Sequence, residues 1–221
     1  MADVEPVGYP FLAHLTRAMV TAESDSNIQL DGLARFGLRI WDSILKHNKG
    51  VSYEFMLDDL PRAEYNIFVD ASKSWGIGGC CGPLFFTIPW TSIPILKDEF
   101  IAKQELLACV VGIFAFREAI QGRLVTLNTD SQTALSWLQR GRCSDVVGSN
   151  YLSVLEMGKY KAECKVQARW ISSGGNRTAD MLSRNKVPDW LKRRGTKVSI
   201  NMEQITNFVV DPVEAWRQLI V

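Results

Sequence analysis

Cysteine pairs with the C-x-x-C spacing of zinc sites are missing from this 221-residue chain. The cysteines number five, which is odd, and the histidines number two. These features argue against a disulfide framework and against a zinc site, so we expect reduced, mostly buried thiols. The sequence also lacks a run of about 18 apolar residues, which predicts that no segment spans a membrane and that the membrane is not a partner.

Neither a secretion signal nor a strong charge of one sign is present. The first residues, Met-Ala-Asp-Val-Glu-Pro, have neither the basic start nor the apolar core of a signal peptide, so we expect an intracellular location, in the cytoplasm or nucleus. The net charge is +1, and bulk charge therefore indicates no nucleic-acid or membrane partner. The charge is uneven, however, with a net of −4 over residues 1–64 and +5 over residues 65–221. A polyanion, if one binds, is expected on the second part.

What is present is the composition of a globular protein, with 47% hydrophobic and 22% charged residues. Apolar residues recur at helical spacing over 11–20 and 30–45, and turn residues at 58–61 mark a boundary. We expect a helical N-terminal segment over 1–64, an α/β domain over 65–187, and a basic C-terminal tail with a short helix over 188–221.

The pattern over 65–187 predicts five strands and four helices in the order β-β-β-α-β-α-α-β-α. Three strands with tight connections come first, and glycines within the second strand, 76–82, suggest a close backbone approach or a bulge. Residues 98–120 are apolar nearly all round, which indicates a central, buried helix. The order implies an α/β fold with a mixed five-stranded sheet and helices packed on its faces.

Four carboxylates occupy unusual places in this pattern. Asp70 and Asp130 end the first and fourth strands, Glu105 interrupts the apolar helix, and Asp180 lies on the last helix. If strands one and four are neighbours, Asp70 and Asp130 lie side by side. Clustered carboxylates repel one another, and folds keep them together chiefly to hold hard cations such as Mg²⁺ or Mn²⁺.

Each carboxylate alone also has an ordinary structural explanation. A strand-end aspartate often forms a turn, and Asp130-Ser131 could cap the following helix. Glu105 could pair with Lys103 or with a distant arginine, and Asp180 could be a solvated helix residue. The joint order and spacing of the four favour the metal site.

Four motifs in this order resemble those of a type 1 ribonuclease H domain, of the kind fused to the reverse transcriptases of LTR and DIRS-type retroelements. Ile67-Phe68-Val69-Asp70-Ala71-Ser72 resembles the opening strand of the family, and Glu105-Leu106-Leu107-Ala108 its E-L-x-A helix. Thr129-Asp130-Ser131 resembles its T-D-S motif, and residues 176–184 its N-x-x-A-D-x-L-S-R ending. The resemblance covers about residues 65–186, and the predicted order of elements agrees with that fold.

The resemblance implies a metal-dependent endonuclease that hydrolyses the RNA strand of RNA·DNA hybrids. Asp70, Glu105, Asp130 and Asp180 match the family's catalytic, metal-binding carboxylates. The implied cofactors are two Mg²⁺ ions, with Mn²⁺ as an alternative, about 3.5–4 Å apart. The implied partners are the RNA·DNA hybrid and a reverse-transcriptase polymerase domain.

Substrate contacts are expected from a second group of residues. RNA would be distinguished from DNA by minor-groove contacts to its 2′-hydroxyls. The candidates for substrate binding are Ser72, Gly76, Ser131, Gln132, Asn176 and Arg177. For Asn176, capping of the following helix is an equal alternative. Arginines at 140, 142, 169, 177 and 184 could hold phosphates.

The chain departs from the family pattern in one way, and it also lacks a polymerase site. Many family members have a histidine loop shortly before the last aspartate, and here residues 170–176 are short and contain no histidine. No Y-x-D-D polymerase motif occurs, so the chain is not itself a reverse transcriptase. Two alternatives therefore stand beside the enzyme, namely a catalytically silent module that binds nucleic acid or protein, and a connector within a larger retroelement enzyme.

Two features of the C-terminal half have open interpretations. Residues 184–197 carry six basic residues against Asp189, which suits either phosphate binding or an ordinary solvated tail. Trp137 and Trp170 could serve as stacking platforms, but they lie on apolar-patterned segments, which favours the core.

Overall fold

The structure, a computed structural model, describes residues 9–21, 30–47 and 65–210. The N-terminal part consists of two helices, α1 (Tyr9–Thr21) and α2 (Gly32–His47). Asp31 caps α2, since its carboxylate accepts the backbone N–H of Ala34 at 2.7 Å. Both helices were predicted from periodicity and are confirmed. The predicted boundary at 58–61 lies outside the described residues.

Residues 65–210 alternate strands and helices. The strands are β1 (Tyr65–Ser72), β2 (Gly76–Cys81), β3 (Leu84–Pro89), β4 (Leu124–Thr129), β5 (Lys165–Trp170) and β6 (Thr196–Lys197). The helices are α3 (Ile101–Ala115), α4 (Arg117–Ile120), α5 (Gln132–Arg140), α6 (Val146–Lys161), α7 (Arg177–Ser183), α8 (Asp189–Arg194) and α9 (Met202–Val210), with two 3-10 turns after β3. The chain therefore has the predicted α/β architecture.

A mixed sheet with the strand order β5-β4-β1-β2-β3-β6 forms the centre of this part. β1, β2 and β3 pair antiparallel in sequence, whereas β4 lies parallel to β1 and β5 lies parallel to β4. The prediction of five strands was wrong by one. The sixth, β6, pairs parallel with β3. It is two residues long, which is too short for a periodic signal in the sequence.

Helices cover both faces of the sheet. Alternate residues of a strand point to opposite sides, so one strand contributes side chains to both layers. Ile67 and Val69 of β1 belong to the main core with α3, whose residues are almost all buried. Phe68 points the other way and packs in a smaller cluster with Leu182 of α7 and Leu191 of α8. β1 is thus the central strand on which both layers converge.

A close helix–strand approach fixes α7 against β2. A Cβ atom on Gly78 would lie 2.4 Å from the backbone carbon of Leu182 and 2.4 Å from the nitrogen of Ser183. Only glycine leaves room for the helix at this distance. The close approach expected from the glycines of the second strand is confirmed, and it determines how near α7 lies to β1.

All five cysteines are free thiols, four buried and Cys143 half-buried. This agrees with the sequence prediction of reduced thiols. Among the described residues, no helix combines the length and the apolarity that a bilayer crossing needs.

Candidate metal centre at the ends of β1 and β4

Three carboxylates converge where β1 and β4 run side by side. Asp70 lies near the end of β1, Asp130 directly follows β4, and Glu105 lies in the second turn of α3, which packs on β1. Each offers one oxygen, and these three oxygens lie within 4.8 Å of one another. We call this group the acidic triad. Asp70 and Glu105 are buried and Asp130 is half-buried, so the triad opens to solvent on the Asp130 side.

Neutral hydrogen-bond donors orient two carboxylates of the triad. Ser183 of α7 donates its hydroxyl to Asp70 Oδ2 at 2.5 Å, and Ser173 donates to Asp130 Oδ2 at 2.7 Å. Glu105 accepts the backbone N–H of Ala71. Within the part of the chain that the structure describes, no lysine or arginine forms an ion pair with any of the three.

The uncompensated charge is visible in the acidity of the two buried members. Burial raises the pKa of Asp70 to about 6, with further increases from Asp130 and Asp180, while the Ser183 hydroxyl opposes them. Burial, followed by Asp70 and Asp130, raises the pKa of Glu105 to about 9, and the Ala71 N–H opposes this. At neutral pH the metal-free triad therefore retains a proton on Glu105, which a bound cation would displace.

The donor set fits a hard divalent cation. Oε2 of Glu105 is buried and has no hydrogen-bond partner, which is costly unless a ligand satisfies it. The triad offers only carboxylate oxygens, which are the ligands of Mg²⁺, Mn²⁺ and Ca²⁺ rather than of thiophilic metals. The acidic triad could thus hold a metal ion.

The structure brings together three of the four predicted carboxylates and leaves Asp180 outside the triad. Asp180 lies on α7, and its Oδ1 accepts bonds from Arg184 Nε at 2.9 Å and Nη2 at 2.8 Å. Its side chain is 41% exposed. Its backbone oxygen lies 2.9 Å from the Ser183 hydroxyl that also contacts Asp70, which places Asp180 at the rim of the triad, and its charge raises the pKa values of Asp70 and Glu105.

The predicted substrate residues of β1 and β2 are mostly buried. Ser72 shares a hydroxyl hydrogen bond of 2.9 Å with Ser74. Gly76 pairs with β3, and a Cβ there would lie 1.9 Å from the backbone oxygen of Ile88, so strand packing alone accounts for this glycine.

The remaining candidates lie around the triad. Ser131 caps α5 by accepting the N–H of Ala134 at 3.2 Å, and Gln132 begins that helix with an exposed side chain. Asn176 does not cap α7. Its side chain is buried and donates to the carbonyl of Val69 at 2.8 Å, directly beside Asp70. Arg177 is exposed at the start of α7.

Sequence analysis missed Ser183 and Ser173 at the site and assigned Trp170 to the core. Ser183 belongs to the A-D-x-L-S-R motif, so a signal existed for it, whereas nothing marked Ser173. Trp137 packs partly buried against the core, as expected. Trp170 was expected in the core and is 45% exposed, because it ends an edge strand, and its indole Nε1 donates to the backbone oxygen of Asp130 at 3.1 Å.

No protein-family model matches the chain, and a comparison with curated proteins finds no match.

Proposed function

We propose that the chain is a metal-dependent endonuclease of the ribonuclease H type, which hydrolyses the RNA strand of RNA·DNA hybrids. The observation that carries the proposal is the acidic triad itself. Asp70, Glu105 and Asp130 are far apart in sequence, and each matches a motif carboxylate of the family that the chain resembles. Three independent motif positions meeting within 4.8 Å is not expected of residues that serve only as turns or caps.

The arrangement of the sheet gives a second line of support. From β1 to α7 the elements follow the order β-β-β-α-β-α-α-β-α, if the short α4 is counted with α3. Strands β1 and β4 are parallel neighbours, which is the condition for Asp70 and Asp130 to lie side by side. α8, β6 and α9 are additions to this order.

The residues of the chain have distinct tasks in the proposed reaction. Asp70, Glu105 and Asp130 would hold Mg²⁺, with Mn²⁺ as an alternative, and Asp180 would complete the set for two ions. Divalent ions bound there supply an activated water and stabilise the leaving oxygen of a phosphodiester. Ser183 and Ser173 hold their carboxylates in position, and a preorganised ligand set of this kind avoids reorganisation during the reaction.

Selectivity for RNA would come from contacts to 2′-hydroxyls next to the triad. Gln132 and Arg177 are exposed at the starts of α5 and α7 and follow Asp130 and Asn176 closely in sequence, so they are the strongest candidates among the predicted substrate residues. Ser72, Gly76 and Asn176 are buried, so they would contribute to substrate binding through backbone groups or by positioning neighbouring residues.

The test is cleavage of a labelled RNA·DNA hybrid by the purified chain in Mg²⁺, in Mn²⁺ or in EDTA. We expect cutting of the RNA strand alone, only with metal, and its loss in Asp70→Asn. The matched control is Asp98→Asn, which makes the same substitution at an exposed position that is not part of the triad. Wild-type cleavage by a folded Asp70→Asn variant would rule out the assignment.

One observation favours a second candidate, a catalytically silent ribonuclease H-like module that binds nucleic acid or protein. The carboxylate of Asp180 is engaged by Arg184 instead of joining the triad. Under this alternative the chain binds a hybrid but does not cut it in any metal. The reverse-transcriptase polymerase partner and the intracellular location stay predictions.

A further inference from the structure

A concentrated positive surface follows the metal centre along the chain. Residues 184–197 carry a net charge of +5. All six basic side chains of this segment are exposed, namely Arg184, Lys186, Lys192, Arg193, Arg194 and Lys197. We call this group the 184–197 surface.

This surface is part of the folded body, in contrast to a solvated tail. Leu191 of α8 is 1% exposed and packs with Leu182 and Phe85. After α8 the chain continues as β6, where Thr196 donates its N–H to the Pro83 carbonyl at 3.0 Å and Val198 to the Phe85 carbonyl at 2.8 Å. The basic side chains are therefore mounted on a fixed backbone, and a ligand that binds them has no chain segment to order.

Most of the positive charge has no internal partner. Arg184 pairs with Asp180. Nζ of Lys192 lies 3.1 Å from Oδ1 of Asp189, and both of these side chains are exposed. Across residues 9–21, 30–47 and 65–210, no carboxylate forms an ion pair with the other four, which are Lys186, Arg193, Arg194 and Lys197. An exposed charge of one sign attracts polyanions through the summed field of its groups.

The place where the 184–197 surface begins, beside the acidic triad, bears on which kind of polyanion it would bind. Arg184 immediately follows Ser183, whose hydroxyl binds Asp70. The chain then reverses at Asn185, which has a φ of 59°, and the N–H of Lys186 bonds to the Met181 carbonyl at 2.8 Å. This turn directs the chain into α8, which packs beside α7 through the shared Leu182–Leu191 cluster. The surface thus begins with Arg184 at the rim of the metal centre and extends along α8 toward β6, at the edge of the sheet beyond β3.

We propose that the 184–197 surface binds the phosphate backbone of the nucleic acid whose cleavage site lies at the acidic triad. The inference rests on the proposed function for the identity of the polyanion, an RNA·DNA hybrid duplex. Contacts of this type position the duplex and are independent of its sequence. Their measurable sign is salt dependence, since each phosphate neutralised by a protein cation releases condensed counterions.

The experiment compares two triple variants in an Asp70→Asn background, so that the hybrid stays intact in Mg²⁺. The test variant changes Lys192, Arg193 and Arg194 to glutamine, which keeps the helix propensity of α8. The control variant changes Arg35, Arg39 and Arg117 to glutamine, which removes the same net charge from exposed positions on α2 and α4. Hybrid binding is measured by fluorescence anisotropy between 50 and 200 mM salt.

We expect the slope of log K against log salt to become shallower by about 2 in the test variant and to stay within about 0.5 in the control. In the chain with an intact triad, the same test substitutions should raise KM about tenfold and leave kcat within about twofold. A change in slope below about 1, or equal changes in both variants, would overturn the proposal.

Two further outcomes are separable. If the wild-type chain cuts no hybrid, the proposed function fails, but the slope in the binding assay still decides whether the surface contacts phosphates. If the test substitutions abolish sedimentation with phosphatidylserine vesicles and leave hybrid binding unchanged, the surface faces a lipid bilayer and the proposal is wrong.

Discussion

The indole of Trp170 donates its Nε1 hydrogen to the backbone oxygen of Asp130 at 3.1 Å, across the ends of neighbouring strands. This bond, with the Ser173 hydroxyl on the side chain, fixes the least buried member of the triad from two directions. A partly exposed carboxylate that is held in this way loses little conformational entropy when a cation binds.

Trp170→Phe removes this hydrogen bond and keeps an aromatic ring. A neutral hydrogen bond contributes about 0.5–1.5 kcal/mol, so we expect the concentration of Mn²⁺ or Mg²⁺ needed for half-saturation to rise by up to about tenfold. Electron paramagnetic resonance of free Mn²⁺ measures this without reference to activity. The control is Trp190→Phe, at an exposed tryptophan on α8. Identical half-saturation in the two variants would show that the bond does not position Asp130.

The pH dependence of stability follows from Glu105. In EDTA the folded protein keeps Glu105 protonated up to a pKa of about 9, whereas the unfolded chain ionises it near 4.5. The unfolded state therefore binds fewer protons between these values, and the free energy of unfolding falls as pH rises from about 4.5 to about 9. Asp70 adds to the decline between about 3.8 and 6. Each group contributes at most about 1.4 kcal/mol per pH unit.

Thermal or urea unfolding in EDTA between pH 5 and 9 measures this decline. Glu105→Gln should flatten it above pH 6, while Glu118→Gln, at an exposed glutamate of α4, should not. Mg²⁺ at pH 8 should restore stability to the wild type, since it binds only the folded triad. Parallel curves for the wild type and Glu105→Gln would show that the buried carboxyl group has an ordinary pKa.

Ser183 lowers the pKa of Asp70 through its hydrogen bond, so Ser183→Ala should raise that pKa. A hydrogen bond to a charged acceptor contributes about 1.5–3 kcal/mol, and we expect the acid limb of the pH–rate profile to move up by about one to two units. Cleavage at a fixed, subsaturating Mg²⁺ concentration between pH 5 and 8 measures the shift, because the proton and the cation then compete for Asp70. Ser153→Ala is the control, because that buried hydroxyl donates to the Ser149 carbonyl. An unmoved acid limb in Ser183→Ala would exclude this hydroxyl as a determinant of Asp70 ionisation.

Periodicity was sufficient for most of the fold and for the burial of Glu105, because the apolar pattern of α3 leaves that carboxylate no polar face. It was misleading at Trp170, since a pattern of apolar residues does not reveal which strand forms the edge of a sheet. The sequence also did not reveal which residue pairs with Asp180. Motif spacing places it on α7, but Arg184, one turn later, takes its carboxylate away from the triad. β6 is held by individual hydrogen bonds to carbonyls that are distant in sequence, and a strand of two residues is too short to show a periodic pattern.

Gly78 links the fold to the metal centre, because it sets the distance between α7 and β2. In Gly78→Ala the new methyl group would meet the backbone of Leu182 and Ser183 at 2.4 Å, and a backbone cannot rotate away as a side chain can. We expect α7 to move outward, with a loss of about 1–3 kcal/mol of stability and a longer, weaker bond from Ser183 to Asp70. Gly32→Ala, where nothing lies within 4 Å of the added carbon, is the matched control and should be close to neutral. Urea unfolding and Mn²⁺ binding on both variants separate the two effects: a destabilised Gly78→Ala protein with unchanged Mn²⁺ affinity would mean that the triad is positioned by β1, β4 and α3 without help from α7.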